Sequence, residues 1–149
     1  MLNFLKNNEV IRISNAVVAG TSDIDCTAVD CHDCEEVTCI ALFGAITGSA
    51  VTSIKAAQSS DSGGSPDGWS DLAGSSVVVA DDQDNKAAVL TVVRPTKRYV
   101  RFTVARGTQN AVVDGVIAIK SKPREAPVAQ GATVIATSKA VISPAEGTA

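Results

Sequence analysis

Two adjacent runs restrict this chain more than any other part of it. In Arg98-Tyr-Val-Arg-Phe-Thr-Val-Ala105, the residues Arg98, Val100, Phe102 and Val104 alternate with Tyr99, Arg101, Thr103 and Ala105. That period of two suits a strand with an apolar stripe on one face and basic residues on the other, and it does not suit a helix. Gly107 to Asn110 turns the chain, and Ala111 to Ile119 returns it as a second strand, with a bulge predicted at Asp114-Gly115.

The same reading extends outward. Residues 10–19 form one strand or two short ones. Val37 to Ile46 is apolar almost throughout and reads as a buried strand. In Ala50–Gln58, a face of Val51, Ser53, Lys55 and Ala57 opposes one of Ala50, Thr52, Ile54 and Ala56. Val77–Ala80 and Ala87–Val93 flank Asp81–Lys86, a pattern that predicts a hairpin, and Pro95 ends its second strand. Ser59 to Ser76 is a polar loop in which Trp69 and Leu72 are spaced to fold back onto the core as one helical turn, with Trp69 as a loop anchor. Aromatic residues are limited to Phe4, Phe43, Trp69, Tyr99 and Phe102, so Val, Ile, Leu and Ala must supply the core volume.

Short strands, frequent turns and no convincing helix predict an all-β chain, a single β-sandwich or barrel-like domain. Its expected limits are 10–120, between an N-terminal arm over 1–9 and an extended C-terminal arm over 121–149, where Pro123, Pro127, Gly131 and Pro144 discourage regular structure.

A net charge of −3 is too small to indicate a nucleic-acid partner by itself. No apolar run approaches the ~18 residues of a membrane span. The first residues lack the basic head and apolar centre of a signal peptide, so cytoplasmic synthesis is expected. There is no phosphate-binding glycine loop, no dinucleotide fingerprint and no G-x-S-x-G elbow, and His32 is the lone histidine. No enzymatic activity and no cofactor is expected.

Three clusters carry candidate chemistry. Cys26, Cys31, Cys34 and Cys39 form C-x4-C-x2-C-x4-C within an acidic segment, 21–36, that reads as a solvated loop. The thiols can hold zinc, form a Cys26–Cys39 or Cys31–Cys34 disulfide, or simply fill core; a metal is not the favoured reading. Asp81, Asp82, Asp84 and Asn85 resemble a cation loop, but Lys86 and Val92 stand where such a loop needs glycine and glutamate, and a solvated turn fits better. Arg94, Lys97, Arg98, Arg101 and Arg106 form a basic cluster with no acid between them. They either decorate a strand face, meet an acidic partner surface such as the 21–36 segment of a neighbouring copy, or bind nucleic acid, for which only Tyr99 and Phe102 offer stacking.

The order of Ala19-Gly-Thr-Ser22, Phe43-Gly-Ala-Ile-Thr47, Asp71-Leu-Ala-Gly74, Arg94-Pro-Thr-Lys-Arg-Tyr-Val-Arg101, Arg106-Gly-Thr-Gln-Asn-Ala111 and Ser143-Pro-Ala-Glu-Gly-Thr-Ala149 resembles a group of small virion proteins of tailed bacteriophages. The resemblance spans almost the whole chain, and no single motif in it is specific. It implies a capsid decoration (cement) protein on the capsid surface of the virion, a structural protein binding the major capsid protein and neighbouring copies, often as a homotrimer. A tail-tube or head–tail joining subunit is the alternative within structural proteins, and a zinc-stabilised binding module is the alternative outside them. The four cysteines depart from the group's pattern.

Overall fold

The computed structural model describes residues 3–141. The tail motif Ser143–Ala149 and the last part of the expected C-terminal arm lie outside the described residues.

One helical turn, α1 (Phe4–Asn7), precedes eleven strands: β1 (Asn8–Ser14), β2 (Val17–Gly20), β3 (Ile24–Asp25), β4 (Val29–Asp30), β5 (Cys34–Ile46), β6 (Val51–Ser59), β7 (Ser70–Asp71), β8 (Val77–Val79), β9 (Ala87–Val93), β10 (Tyr99–Gly107) and β11 (Ala111–Pro123). They make two antiparallel sheets packed face to face, a β-sandwich. The first sheet runs β1-β11-β5-β9, with β2 also on β11. The second runs β3-β10-β6-β7, with β4 also on β10 and β8 also on β6. The described residues do not close into a barrel.

The predicted hairpin is absent, and the expected turn at Gly107–Asn110 does not pair its two flanking strands either. β8 pairs with β6 and β9 with β5, so Asp81–Lys86 carries the chain from one sheet to the other. Likewise β10 pairs with β6 and β11 with β5, and Thr108–Asn110 is a crossover. Turn chemistry marks where a strand ends, but a few polar residues can equally span the ~10 Å between facing sheets. The expected bulge is present: the β11 register with β5 shifts between Val113 and Gly115, where Gly115 has φ 151°, a conformation that favours glycine.

Each strand buries the alternation expected of it. Val100, Phe102 and Val104 of β10 face Val37, Cys39, Ala41 and Phe43 of β5 and Val113, Val116 and Ala118 of β11, with Ile54 and Ala56 of β6 beside them. Phe43 and Phe102 are the largest fully buried side chains, each contributing about 1.5–3 kcal/mol by burial.

Other boundaries differ from the sequence expectation. β1 begins at Asn8, inside the predicted arm, because residues 8–14 pair with β11. β11 runs on to Pro123 against β5. The acidic segment is no solvated loop. Cys26, Val29, Cys31 and Cys34 enter the core while their acidic neighbours point outward, and two short strands, β3 and β4, edge β10. Trp69 and Leu72 form no helical turn, since Ser70–Asp71 instead pairs with β6 as β7.

Candidate functional site

The basic cluster is engaged within its own chain. Arg98 forks onto Asp30, with Nε and Nη2 reaching the carboxylate at 2.6–3.1 Å. Arg101 pairs with Asp25 at 3.4 Å and lies over the Trp69 ring, 4.6 Å from its centroid. Lys97 binds the Asp67 carboxylate. Arg106 is buried, donating from Nε to the Ser22 carbonyl at 2.7 Å and from Nη1 to the Val18 and Ala111 carbonyls at 2.9 Å. The acidic segment anticipated on a neighbouring copy is thus met within the molecule, because β3 and β4 lie along β10. Arg94 differs: it sits at φ 51° just after β9, its N–H bonded to the Glu35 carbonyl, and its side chain forms no ion pair among the described residues.

Sequence reasoning missed a second buried cation. Lys120 lies on the inner face of β11, with Asp33 at 2.6 Å and Glu9 at 3.0 Å. Burial opposes its charge, but the hydrogen bonds to Asp33 and Glu9 outweigh that, and its pKa is raised. Arg106 beside the start of β11 and Lys120 near its end therefore cap the two ends of the sandwich. The signal was a lysine in phase with Val116 and Ala118, a position alternation marks as inward.

All four cysteines are free and buried, and the sulfurs divide into two places. Cys26 and Cys39 lie near each other in the core, where burial raises both, Cys26 to about 12. Cys31 and Cys34 sit at the Lys120 end, where the Cys31 thiol donates to the Val29 carbonyl at 3.7 Å and the Cys34 thiol to the Cys31 carbonyl at 4.0 Å. Among the described residues no group of three or more His, Cys, Asp or Glu is arranged to hold a metal. The acidic Asp81–Asn85 turn is a brace: Asp84 accepts from the Ile46 N–H at 2.6 Å and Asp81 from that of Ser49, fixing the β5–β6 turn.

The surface left without a partner is the outer face of the first sheet. Registers place Ile117 beside Ile40 and Val89, Ile119 beside Thr38 and Val10, and Leu42 beside Ala87. Leu42, Val89 and Val93 are exposed and Val10, Ile40, Ile117 and Ile119 half-buried. The same face carries Arg12 beside Ile117 and the hydrogen-bonded pair Thr38 and Thr91 beside Ile119, so its apolar residues are patches within a sheet plane of roughly 400 Å². Exposed apolar patches rimmed by polar residues are the kind of surface that marks an interaction site. The signal was legible: a continuous apolar run in an antiparallel sheet means both faces of the strand are apolar.

The strand edges point the same way. In the second sheet they are strands of two or three residues. The β1 edge is covered by the chain's own C-terminal segment, where Gln130 accepts from the Val10 N–H and donates to the Leu5 and Asn8 carbonyls. Only β9, Ala-Ala-Val-Leu-Thr-Val-Val, is a long edge without charge or proline among the described residues.

Comparison with known proteins finds no family model that matches this chain and no curated protein similar to it in sequence.

Proposed function

We propose that this chain is a non-enzymatic structural protein of a tailed-bacteriophage virion, one that decorates and stabilises the capsid by binding the major capsid protein and neighbouring copies. The observation that carries the reading is the set of apolar patches on the outer face of the first sheet, continuous with the bare β9 edge. A free edge accepts a strand from another chain, and an apolar face beside it buries that strand's side chains. A sheet plane of about 400 Å², only part of it apolar, falls short of the ~800 Å² that each partner contributes to a standard interface. The rest must come from neighbouring surface, such as the chain ends. Many copies on one lattice turn modest single contacts into high avidity. The ordered set of phage-like motifs supports the same reading.

The test is to locate the protein in an image reconstruction of whole particles, together with occupancy measurements on purified capsids. Wild-type protein is expected on the shell, and Val89→Lys is expected to reduce occupancy while leaving the fold intact. Absence from particles overturns the proposal. A tail-tube or head–tail joining subunit is the second reading, and ring-shaped oligomers in solution that do not bind capsids would favour it.

A further inference from the structure

Cys31 and Cys34 lie at the Lys120 end of the core, on either side of one tight turn. The Cys34 N–H bonds to the Cys31 carbonyl at 3.4 Å, closing a four-residue turn over His32 and Asp33. The ends of such a turn lie within about 7 Å of each other at Cα, inside the range a disulfide bridges. Cys34 also borders a groove of about 550 Å³, along with Glu9, His32, Asp33, Lys120 and Arg124. Cys26 and Cys39 do not line that groove.

We infer that Cys31 and Cys34 form a thiol–disulfide exchange site open to low-molecular-weight disulfides, with Cys34 as the attacking thiol and Cys31 as the resolving one. Cys34 Sγ attacks one sulfur of the small disulfide. The S–S bond breaks, one small thiolate leaves and takes up the proton Cys34 gave, and a mixed disulfide remains on Cys34. Cys31 Sγ then attacks Cys34 Sγ and releases the second small thiol. Two protein thiols are oxidised to one disulfide, and the small disulfide is reduced to two thiols.

The local chemistry assigns the order. Cys34 lines the groove and Cys31 does not; in keeping with that order, the interaction of the two thiols holds Cys34 below its ordinary value and, together with burial, pushes Cys31 up. The turn is also tied to its surroundings. Lys120 binds the Asp33 carboxylate, and the Arg124 N–H bonds to the Asp33 carbonyl at 2.8 Å. Bridging the pair therefore closes the turn on which the C-terminal segment rests. This inference stands apart from the virion reading and holds or fails without it.

The experiment incubates folded full-length protein with oxidised glutathione and follows intact mass, thiol alkylation and peptide mapping, with Trp69 emission as the check on folding. The expected product has lost two hydrogens, carries a Cys31–Cys34 bridge and keeps Cys26 and Cys39 reduced. Cys31→Ser is expected to stop at one glutathione on Cys34, and Cys34→Ser to take up none. Folded wild-type protein that stays fully reduced, a bridge involving Cys26 or Cys39, or an adduct on Cys31 in Cys34→Ser would each overturn the assignment. The wild-type arm alone decides the case if a variant fails to fold.

Discussion

Replacing Arg106 with methionine tests whether the basic cluster is an internal device or a partner surface. Methionine keeps the length and apolar stem but removes every donor. Three carbonyls then lose their hydrogen bonds: Ala111 in a buried setting, Val18 and Ser22 in partly buried ones. Stranding one buried acceptor costs about 1–3 kcal/mol. Water can reach the two partly buried carbonyls, so they add roughly 0.5 kcal/mol each. The expected loss is therefore about 2–4 kcal/mol. At this chain length ~1 kcal/mol moves Tm by about 3 °C, so a drop of roughly 6–12 °C is expected. Arg98→Met is the comparison. Its partner pair is exposed, and such pairs contribute about 0–1 kcal/mol. Urea unfolding of both variants, read by Trp69 emission and circular dichroism, makes the measurement. Equal stability losses within about 0.5 kcal/mol would refute the reasoning, since Arg106 would then not be the bonded cap that its burial implies.

Three further outcomes are expected. Asp30 and Asp67 are held below the usual carboxylate range, by Arg98 and Lys97 respectively, so their contribution is present above about pH 4 and lost as pH falls through the lowered values. Lys120 is raised instead, so its contribution is intact below about pH 10 and lost as pH rises beyond that; Lys120→Met removes this alkaline loss, and urea midpoints across pH read both limbs. Gly64→Ala sets a Cβ 2.5 Å from the Trp69 ring at φ +79°, which costs about 1–2 kcal/mol and shifts the single-tryptophan emission to the red as the ring leaves Arg101. Truncation after Gln130 keeps the Val10 amide protected from hydrogen exchange, whereas truncation after Pro123 removes its acceptor and lowers that protection at least about tenfold.

The strands were legible in the sequence because each has one face that must be apolar. Val100, Phe102 and Val104 announce β10 as plainly as Ile54 and Ala56 announce β6. Their partners were not legible. Asp81–Lys86 and Gly107–Asn110 have the composition of hairpin turns, yet both carry the chain between layers, and nothing local distinguishes the two uses. The cluster Arg94–Arg106 read as unpartnered because its acids lie far away in sequence, Asp30 for Arg98 and Asp25 for Arg101. Pairing decided by β3 and β4 edging β10 is a tertiary fact. The acidic run misled in a related way. Charge counted along the chain hid the alternation that sends Cys26, Val29, Cys31 and Cys34 inward.

Once the internal pairs are set aside, β9 retains a charge pattern of its own. Lys86 immediately precedes it and Arg94 immediately follows it. Neither forms an ion pair among the described residues. If two copies paired along this edge antiparallel, Lys86 of one would face Arg94 of the other; if parallel, each cation would face its own equivalent. Like charges set opposite across strands destabilise by about 0.2–1 kcal/mol per pair, so both arrangements are penalised twice. The same two cations would favour a strand flanked by acidic residues. The edge is thus biased against its own kind and toward a different chain. Reversing both charges, with Lys86→Glu and Arg94→Glu, should weaken binding to capsids and leave stability unchanged. Unaltered occupancy, measured at low salt where the charges are least screened, would show that the flanking cations do not select the partner.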